Sequence, residues 1–120
     1  MGKPALTVED LLPLPPAAFH ILLSLAGGDR HGYAIIQEVA ARTDPVLRLS
    51  AGTLYRSVQR MLEQGLIVEA VERPDPELDD ERRRYYRITS FGRKVARSEA
   101  SRLAQLVRFA SECGFSTGRA

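Results

Sequence analysis

Apolar residues recur every three or four positions in the first half of the chain, and this pattern predicts three amphipathic helices. The first helix, over 17–26, begins after Pro15 and Pro16, whose missing N–H groups cost little in a first turn, and ends at a Gly-Gly pair. Its predicted buried face consists of Phe19, Leu22, Leu23 and Ala26. The second helix, over 31–42, ends before Asp44-Pro45, because a residue that precedes proline avoids the helical region. Its predicted buried face consists of Tyr33, Ile36, Val39 and Ala40.

The third helix has the strongest separation of apolar and polar positions. Ser50 is its predicted N-cap and Gly65 its C-terminal stop. The apolar stripe consists of Leu54, Val58, Met61 and Leu62. The opposite face carries Thr53, Arg56, Gln59, Arg60 and Glu63. Tyr55 falls on the boundary between the two faces, and this pattern predicts a helix with one buried and one fully polar side.

Two strands are predicted after this helix, over 66–72 and over 83–89, where β-branched residues and alternation appear. In the second strand Arg84, Tyr86 and Ile88 point one way, whereas Arg83, Tyr85 and Arg87 point the other way. The segment between the strands holds two prolines and five acidic residues, which predicts a hairpin with a long polar tip. We interpret Tyr86, like Tyr33, as a core aromatic residue.

A last helix is predicted from a cap at Thr89 or Ser90 to about Cys113. Its apolar positions are spaced 4, 3, 4 and 3 residues apart, which is the heptad spacing of a helix pair. We predict that these residues form a dimerisation seam: Ala96, Ala100, Leu103, Val107 and Ala110.

The order helix, helix, helix, hairpin, helix is that of a winged helix-turn-helix with an added C-terminal helix. The predicted fold class is therefore mainly α with a small β-hairpin. We expect an N-terminal arm over 1–14 and a winged helix-turn-helix DNA-binding domain over 15–89. A C-terminal dimerisation helix over 90–113 and a tail over 114–120 complete the predicted organisation.

The composition of the chain restricts the classes of protein to which it can belong. The chain has 120 residues, 44% of them hydrophobic, which fits one globular domain. A single cysteine cannot form an internal disulfide, and no apolar run is long enough for a signal peptide or a membrane span. We therefore expect a cytoplasmic protein without a membrane partner. The net charge is only +2, but basic segments alternate with one acidic patch, so local charge matters more than the total.

The polar face of the third helix and the outward face of the hairpin supply the candidate contacts with double-stranded DNA. Arg56 and Arg60 lie one turn apart and can donate paired hydrogen bonds to guanine in the major groove. Ser50 and Thr53 lie at a helix N-terminus, where capping and phosphate binding can coexist. Tyr55 is equally consistent with a core-edge residue and a phosphate donor. The predicted DNA contacts are Ser50, Thr53, Tyr55, Arg56, Gln59, Arg60, Arg83 and Arg87.

Catalytic and metal sites are not predicted. His20, His31 and Cys113 do not have the spacing of zinc ligands, and no nucleophile–base–orienter set or glycine-rich phosphate loop is visible. We expect no enzyme activity, no metal and no cofactor. The alternative function is a winged-helix protein–protein interaction module without a DNA target, which the acidic hairpin tip favours and the arginine face of the third helix opposes.

Three segments in order resemble the PadR family of bacterial transcriptional regulators, over about residues 15–95. They are His31-Gly32-Tyr33-Ala34-Ile35, then Gly52-Thr53-Leu54-Tyr55-Arg56 running on to Leu62-Glu63-Gln64-Gly65-Leu66-Ile67, then Arg83-Arg84-Tyr85-Tyr86-Arg87-Ile88-Thr89 with Gly92. The single C-terminal helix is similar to that of the shorter branch of the family. The resemblance implies a homodimeric repressor with the third helix in the major groove, the wing along the DNA backbone and dimerisation through the last helix. It leaves open a small-molecule effector of unknown identity, although the chain lacks the Trp of the family's aromatic drug platform.

Overall fold

The computed structural model describes residues 5–43, 49–70 and 84–115. Four α-helices and three short strands follow one another in these ranges. The helices are α1 (Pro16–Leu25), α2 (Gly32–Thr43), α3 (Ala51–Gln64) and α4 (Ser90–Glu112). The strands are β1 (Arg30–His31), β2 (Ile67–Glu69) and β3 (Tyr85–Ile88). This order confirms the predicted fold class, mainly helical with a small β-hairpin.

The predicted hairpin is part of a three-stranded antiparallel sheet with the order β1-β3-β2. Ile67 pairs with Ile88 and Val68 with Arg87, as a hairpin requires. The strand β1, in which Arg30 pairs with Tyr86 on the other edge of β3, was not predicted. Two polar residues between helices carry no local strand signal, and their pairing partner lies more than fifty positions away in the chain.

The core lies where α1, α2 and α3 meet the inner face of the sheet and the first turns of α4. Its fully buried side chains include Ile21, Leu22, Ile35, Leu54 and Val95. The predicted stripe of α3 is confirmed, because Leu54, Val58 and Met61 are buried and Leu62 packs against them. Tyr86 is buried, as predicted.

The prediction that Tyr33 lies in the core is wrong, since 61% of this residue is exposed. The buried face of α2 is instead Gly32, Ile35 and Val39. A Cβ at Gly32 would lie 2.8 Å from the Tyr55 hydroxyl, so the missing side chain brings α2 close to α3 and turns Tyr33 outward. In α1, similarly, Leu23 is exposed, and Ala18, Ile21, Leu22 and Leu25 form the apolar buried face.

The described part of the N-terminal arm is packed against the domain. It contains a short 3-10 helix at Glu9–Leu11. Val8, Leu11 and Leu12 pack against the core, and Leu14 is part of it. The arm is thus irregular, as predicted, but it covers the side of the bundle between α1, α3 and α4.

Candidate nucleic-acid interface

Local interactions fix both ends of α3. The Ser50 hydroxyl oxygen accepts a hydrogen bond from the Thr53 backbone N–H at 3.1 Å, which confirms the predicted N-cap. At the other end Gly65 has a φ of 79°, the left-handed conformation that glycine adopts most readily. The Leu66 N–H then donates to the Met61 carbonyl at 3.0 Å, which closes the helix. The position of α3 is therefore set by its own caps and by the core beneath it.

The outer face of α3 is exposed along its length. Arg56, Gln59, Arg60 and Glu63 are all exposed. Within the described ranges, Arg56 makes a 3.5 Å contact with the Thr53 hydroxyl, and Gln59 a 3.5 Å contact with Glu63. Among the described residues, neither Arg56 nor Arg60 takes part in an ion pair. Two guanidinium groups one helical turn apart are thus available to a ligand.

Tyr55 lies at the edge of this face and is 38% exposed. Its hydroxyl lies over Gly32, and its ring lines a hollow of about 280 Å³ between α3 and the hairpin. Tyr86, Glu69 and Arg84 line the other side of this hollow. Burial is the main cause that raises the pKa of Tyr86 above its usual value of 10.0. The hollow therefore separates the edge of α3 from the base of the hairpin.

The structure places Arg87 against a partner that the sequence analysis did not identify. Its Nε and Nη2 donate to the Asp29 carboxylate at 3.1 and 2.8 Å, in a paired geometry. These hydrogen bonds hold the pKa of Asp29 below its usual value of 3.8. Asp29 immediately precedes β1, so the pair joins the loop after α1 to β3. Arg83 and the acidic tip over 75–81 lie outside the described residues.

The predicted dimerisation seam lies along α4, but its members differ in environment. Ala96 packs against the core of its own subunit, whereas Ala100 and Val107 are exposed. Leu103 and Ala110 are half-buried. The sequence analysis missed the exposed apolar residues Leu106 and Phe109, which are 54% and 61% exposed. They continue, beyond the end of the core, the side of α4 on which Val95 and Glu99 are buried.

Neither a metal-binding cluster nor a membrane-spanning helix is found in the described ranges. Within them, no group of three or more His, Cys, Asp or Glu residues is arranged to hold a metal ion. Within the same ranges, no helix is both long and apolar enough to cross a bilayer.

Comparison with known proteins assigns the family. Residues 21–98 match the transcriptional regulator PadR-like family. An uncharacterised protein of Lysinibacillus sphaericus is 40% identical over 73 residues, which cover 61% of this chain and 64% of that protein, so the match spans less than two thirds of the relative.

Several solved structures share the fold. A transcriptional regulator from Clostridium thermocellum has 26% identity and a TM-score of 0.66 over 80% of this chain and 87% of that one. A PadR family transcription regulator from Clostridium difficile has 20% identity and a TM-score of 0.67 over 84% of this chain and 100% of that one. RosR of H. salinarum has 20% identity and a TM-score of 0.64 over 82% and 81%. With the matched region covering the helix-turn-helix, the hairpin and the start of α4, this chain belongs to the PadR-like family of transcriptional regulators.

Proposed function

We propose that this chain is a cytoplasmic, sequence-specific DNA-binding regulator that represses its target genes as a homodimer on a palindromic operator. The observation that carries the proposal is the polar face of α3, where Arg56 and Arg60 are exposed and, among the described residues, are in no ion pair. In a winged helix-turn-helix this is the helix that enters the major groove. Residues 15–89 then form the DNA-binding unit, and 90–113 form the dimerisation helix.

The side chains on this face suit direct contact with bases. Arginine donates two hydrogen bonds to guanine O6 and N7, and glutamine can pair with adenine, so Arg56, Arg60 and Gln59 are the proposed specificity residues. Ser50 and Thr53 lie at the N-terminus of α3, where the helix dipole favours a phosphate. Tyr55, at the edge of the face, can donate its hydroxyl to the same backbone.

The wing supplies the remaining proposed contacts with the DNA backbone, through Arg83 and Arg87. The Arg87–Asp29 pair is exposed on the arginine side. A phosphate can accept the same paired hydrogen bonds from the guanidinium, so it would take the place of the Asp29 carboxylate. Backbone contacts of this kind position a protein on the duplex without reading its sequence.

The dimer is proposed from the exposed apolar side of α4, which includes Leu103, Leu106, Val107, Phe109 and Ala110. Pairing of two such helices about a twofold axis would bring two copies of α3 to successive major grooves, about 34 Å apart on one face of the duplex. A palindromic operator is the expected counterpart of this symmetry.

The proposal is tested by selecting DNA from a random pool with the purified protein and measuring its affinity for the consensus by fluorescence anisotropy. We expect a palindromic consensus and at least about thirtyfold weaker binding by the R56Q/R60Q variant, since each paired contact contributes about 1–3 kcal/mol. The control is E63Q, which changes the same exposed face without removing a cation and should bind at least as well as the wild type.

Unchanged affinity of R56Q/R60Q for the consensus contradicts the assignment of α3. The alternative function, a protein-docking winged helix, predicts no retention on duplex DNA or heparin in low salt and no consensus after selection.

A further inference from the structure

The cations of the described residues fall into two groups. Five arginines are in ion pairs: Arg30 and Arg42 with Glu38, Arg84 with Glu69, Arg87 with Asp29, and Arg102 with Glu99. The described cations that make no ion pair lie on only two elements. Arg56 and Arg60 are on α3, and the others are Arg93, Lys94, Arg97 and Arg108 on α4. Exposed cations without an ion pair, which characterise the proposed DNA-reading face of α3, are therefore also found on α4.

The four unpaired cations of α4 form one stripe, which we call the basic stripe. Helical geometry places Arg93, Lys94, Arg97 and Arg108 on one side of α4, over a length of about 22 Å. Ser101, Ala104 and Gln105 lie on the same side between them, and all seven residues are exposed. Arg93 additionally donates to the Ala26 carbonyl at 3.4 Å, which leaves its charge uncompensated.

Acidic residues on α4 do not neutralise the basic stripe. Glu99 is only 2% exposed and is held by Arg102 on the other side of the helix. Glu112 lies at the last residue of α4, beyond Arg108. The stripe thus presents four positive charges to solvent. Among the carboxylates of α4, only Glu112 lies near them, one turn beyond Arg108 and in no ion pair with it.

The residue types in the basic stripe indicate which class of macromolecule it binds. Protein interfaces have large apolar and aromatic residues at their centre, whereas Ala104 is the apolar residue that lies within the stripe. DNA backbones are contacted mainly by Arg and Lys together with Ser and Gln, and these are the residues present. We propose that the basic stripe of α4 is a second DNA-binding surface, which holds the phosphate backbone of a duplex without reading its sequence.

The basic stripe lies on the side of α4 opposite its exposed apolar residues. It therefore stays accessible when two α4 helices pair as proposed above. Because the basic stripe is separate from α3, one dimer could bind its operator through α3 and hold a second duplex, or a distant part of the same DNA molecule, through the stripe. This inference goes beyond the proposed function and does not need the operator to be known.

The first test measures binding of a random-sequence duplex by fluorescence anisotropy at a series of salt concentrations. It is made in the R56Q/R60Q background, so that α3 contributes little. We expect residual binding in this background. Adding R93Q/K94Q/R97Q/R108Q should weaken it at least about tenfold at 50 mM salt and lower the slope of log K against log salt by about 2–4, at about 0.9 per lost phosphate contact.

The matched control replaces the three arginines of the stripe by lysine, R93K/R97K/R108K, which keeps the charge and should keep the affinity. Thermal melting of each variant checks that the fold is intact, since all four residues are exposed. Complete loss of duplex binding in R56Q/R60Q overturns the proposal, as does unchanged binding after neutralisation of the stripe. Failure of α3 to read a consensus would leave these results unaffected, so the two proposals fail separately.

The second test uses Lys94, because it and Lys3 are the lysines of this chain. Acetylation of Lys94, followed by mass spectrometry, should slow several-fold when random-sequence duplex is added to the R56Q/R60Q variant. Poly-glutamate of equal charge is the comparison. Protection by poly-glutamate but not by duplex DNA would indicate an acidic protein partner and overturn the proposal, as would an unchanged rate with both.

Discussion

At the scale of single residues, the most unusual group is the buried carboxylate of Glu99. Arg102 donates to its two oxygens from Nε at 2.8 Å and from Nη2 at 2.7 Å. These hydrogen bonds are the largest cause that lowers the pKa of Glu99 below its usual 4.5, and a hydrogen bond from the Leu14 backbone acts in the same direction. Burial opposes them. The charged form is therefore favoured in the folded state, and it anchors the end of the N-terminal arm to α4.

We predict that E99Q lowers the free energy of unfolding by about 1–3 kcal/mol at pH 7, the usual contribution of hydrogen bonds to a charged group. Because the folded pKa is lower than the unfolded one, this contribution is complete above pH 4.5 and is lost as the pH falls through the folded pKa. Denaturant titrations at several pH values should show the difference between wild type and E99Q shrinking on acidification.

The control for this prediction is E112Q, at the exposed end of the same helix, which should change the stability by less than about 0.5 kcal/mol. A difference between wild type and E99Q that stays constant down to pH 3 would contradict the assigned linkage.

At the scale of elements, the first turn of α4 lies against the chain that follows α3. A Cβ at Gly92 would overlap the Leu66 carbonyl oxygen and lie 2.9 Å from Cγ1 of Ile88. The carbonyl belongs to the backbone and cannot rotate away. Glycine at this position is thus a requirement of the close approach between the two elements.

We predict that G92A lowers the free energy of unfolding by about 1–3 kcal/mol, the usual cost of overpacking. G52A is the matched comparison, because a Cβ there would meet only Arg56 at 3.6 Å and Ser50 at 4.0 Å in the first turn of α3. This change should be neutral or should stabilise by up to about 1 kcal/mol, through the higher helix propensity of alanine. Thermal melting of both variants gives the answer, and equal stability of the two would refute the argument.

The accuracy of the sequence analysis differed between elements for physical reasons. In α3 the caps Ser50 and Gly65 and the buried stripe are local in the chain, and all were predicted. In α2 the contact of Gly32 with Tyr55 decides which side is buried, and a non-local contact of this kind has no signal in the periodicity. Tyr33 was therefore assigned to the wrong side. In α4 the heptad spacing selected Ala96, which packs against the core of its own subunit, and did not select the exposed residues Leu106 and Phe109. The dimerisation seam itself stays a prediction.

At the scale of the whole molecule, α4 divides the surface into regions of different chemistry. Its first half closes the core through Gly92, Val95 and Glu99. Its second half carries exposed Leu106, Val107 and Phe109 without a covering element in the described part of the chain. A cluster of exposed apolar side chains near the end of a helix is typical of a site that another subunit covers.

We predict that the wild type sediments as a dimer at micromolar concentration and that L106S/F109S sediments as a monomer. Each exposed side chain would bury apolar area in both subunits, at about 1.5–3 kcal/mol per side chain, so the dissociation constant should rise at least a hundredfold. Both residues are exposed in the single subunit, so its fold should persist. A104S, at an exposed position on the opposite side of α4, is the control and should remain dimeric. A monomeric wild type would refute the proposed pairing.

The hydroxyl of Thr89 connects the end of α3 with the beginning of α4 through two hydrogen bonds. It donates to the Gly65 carbonyl at 2.6 Å and accepts from the Gly92 N–H at 2.9 Å. The two helices are thereby held at one angle by an atom that belongs to neither. In the proposed dimer, the distance between the two copies of α3 would then be fixed by the contact between the subunits and by the hydrogen bonds of Thr89. A fixed distance would favour operator half-sites at a single separation. A ligand that altered the contact between the subunits would change this distance without touching the DNA-reading side chains.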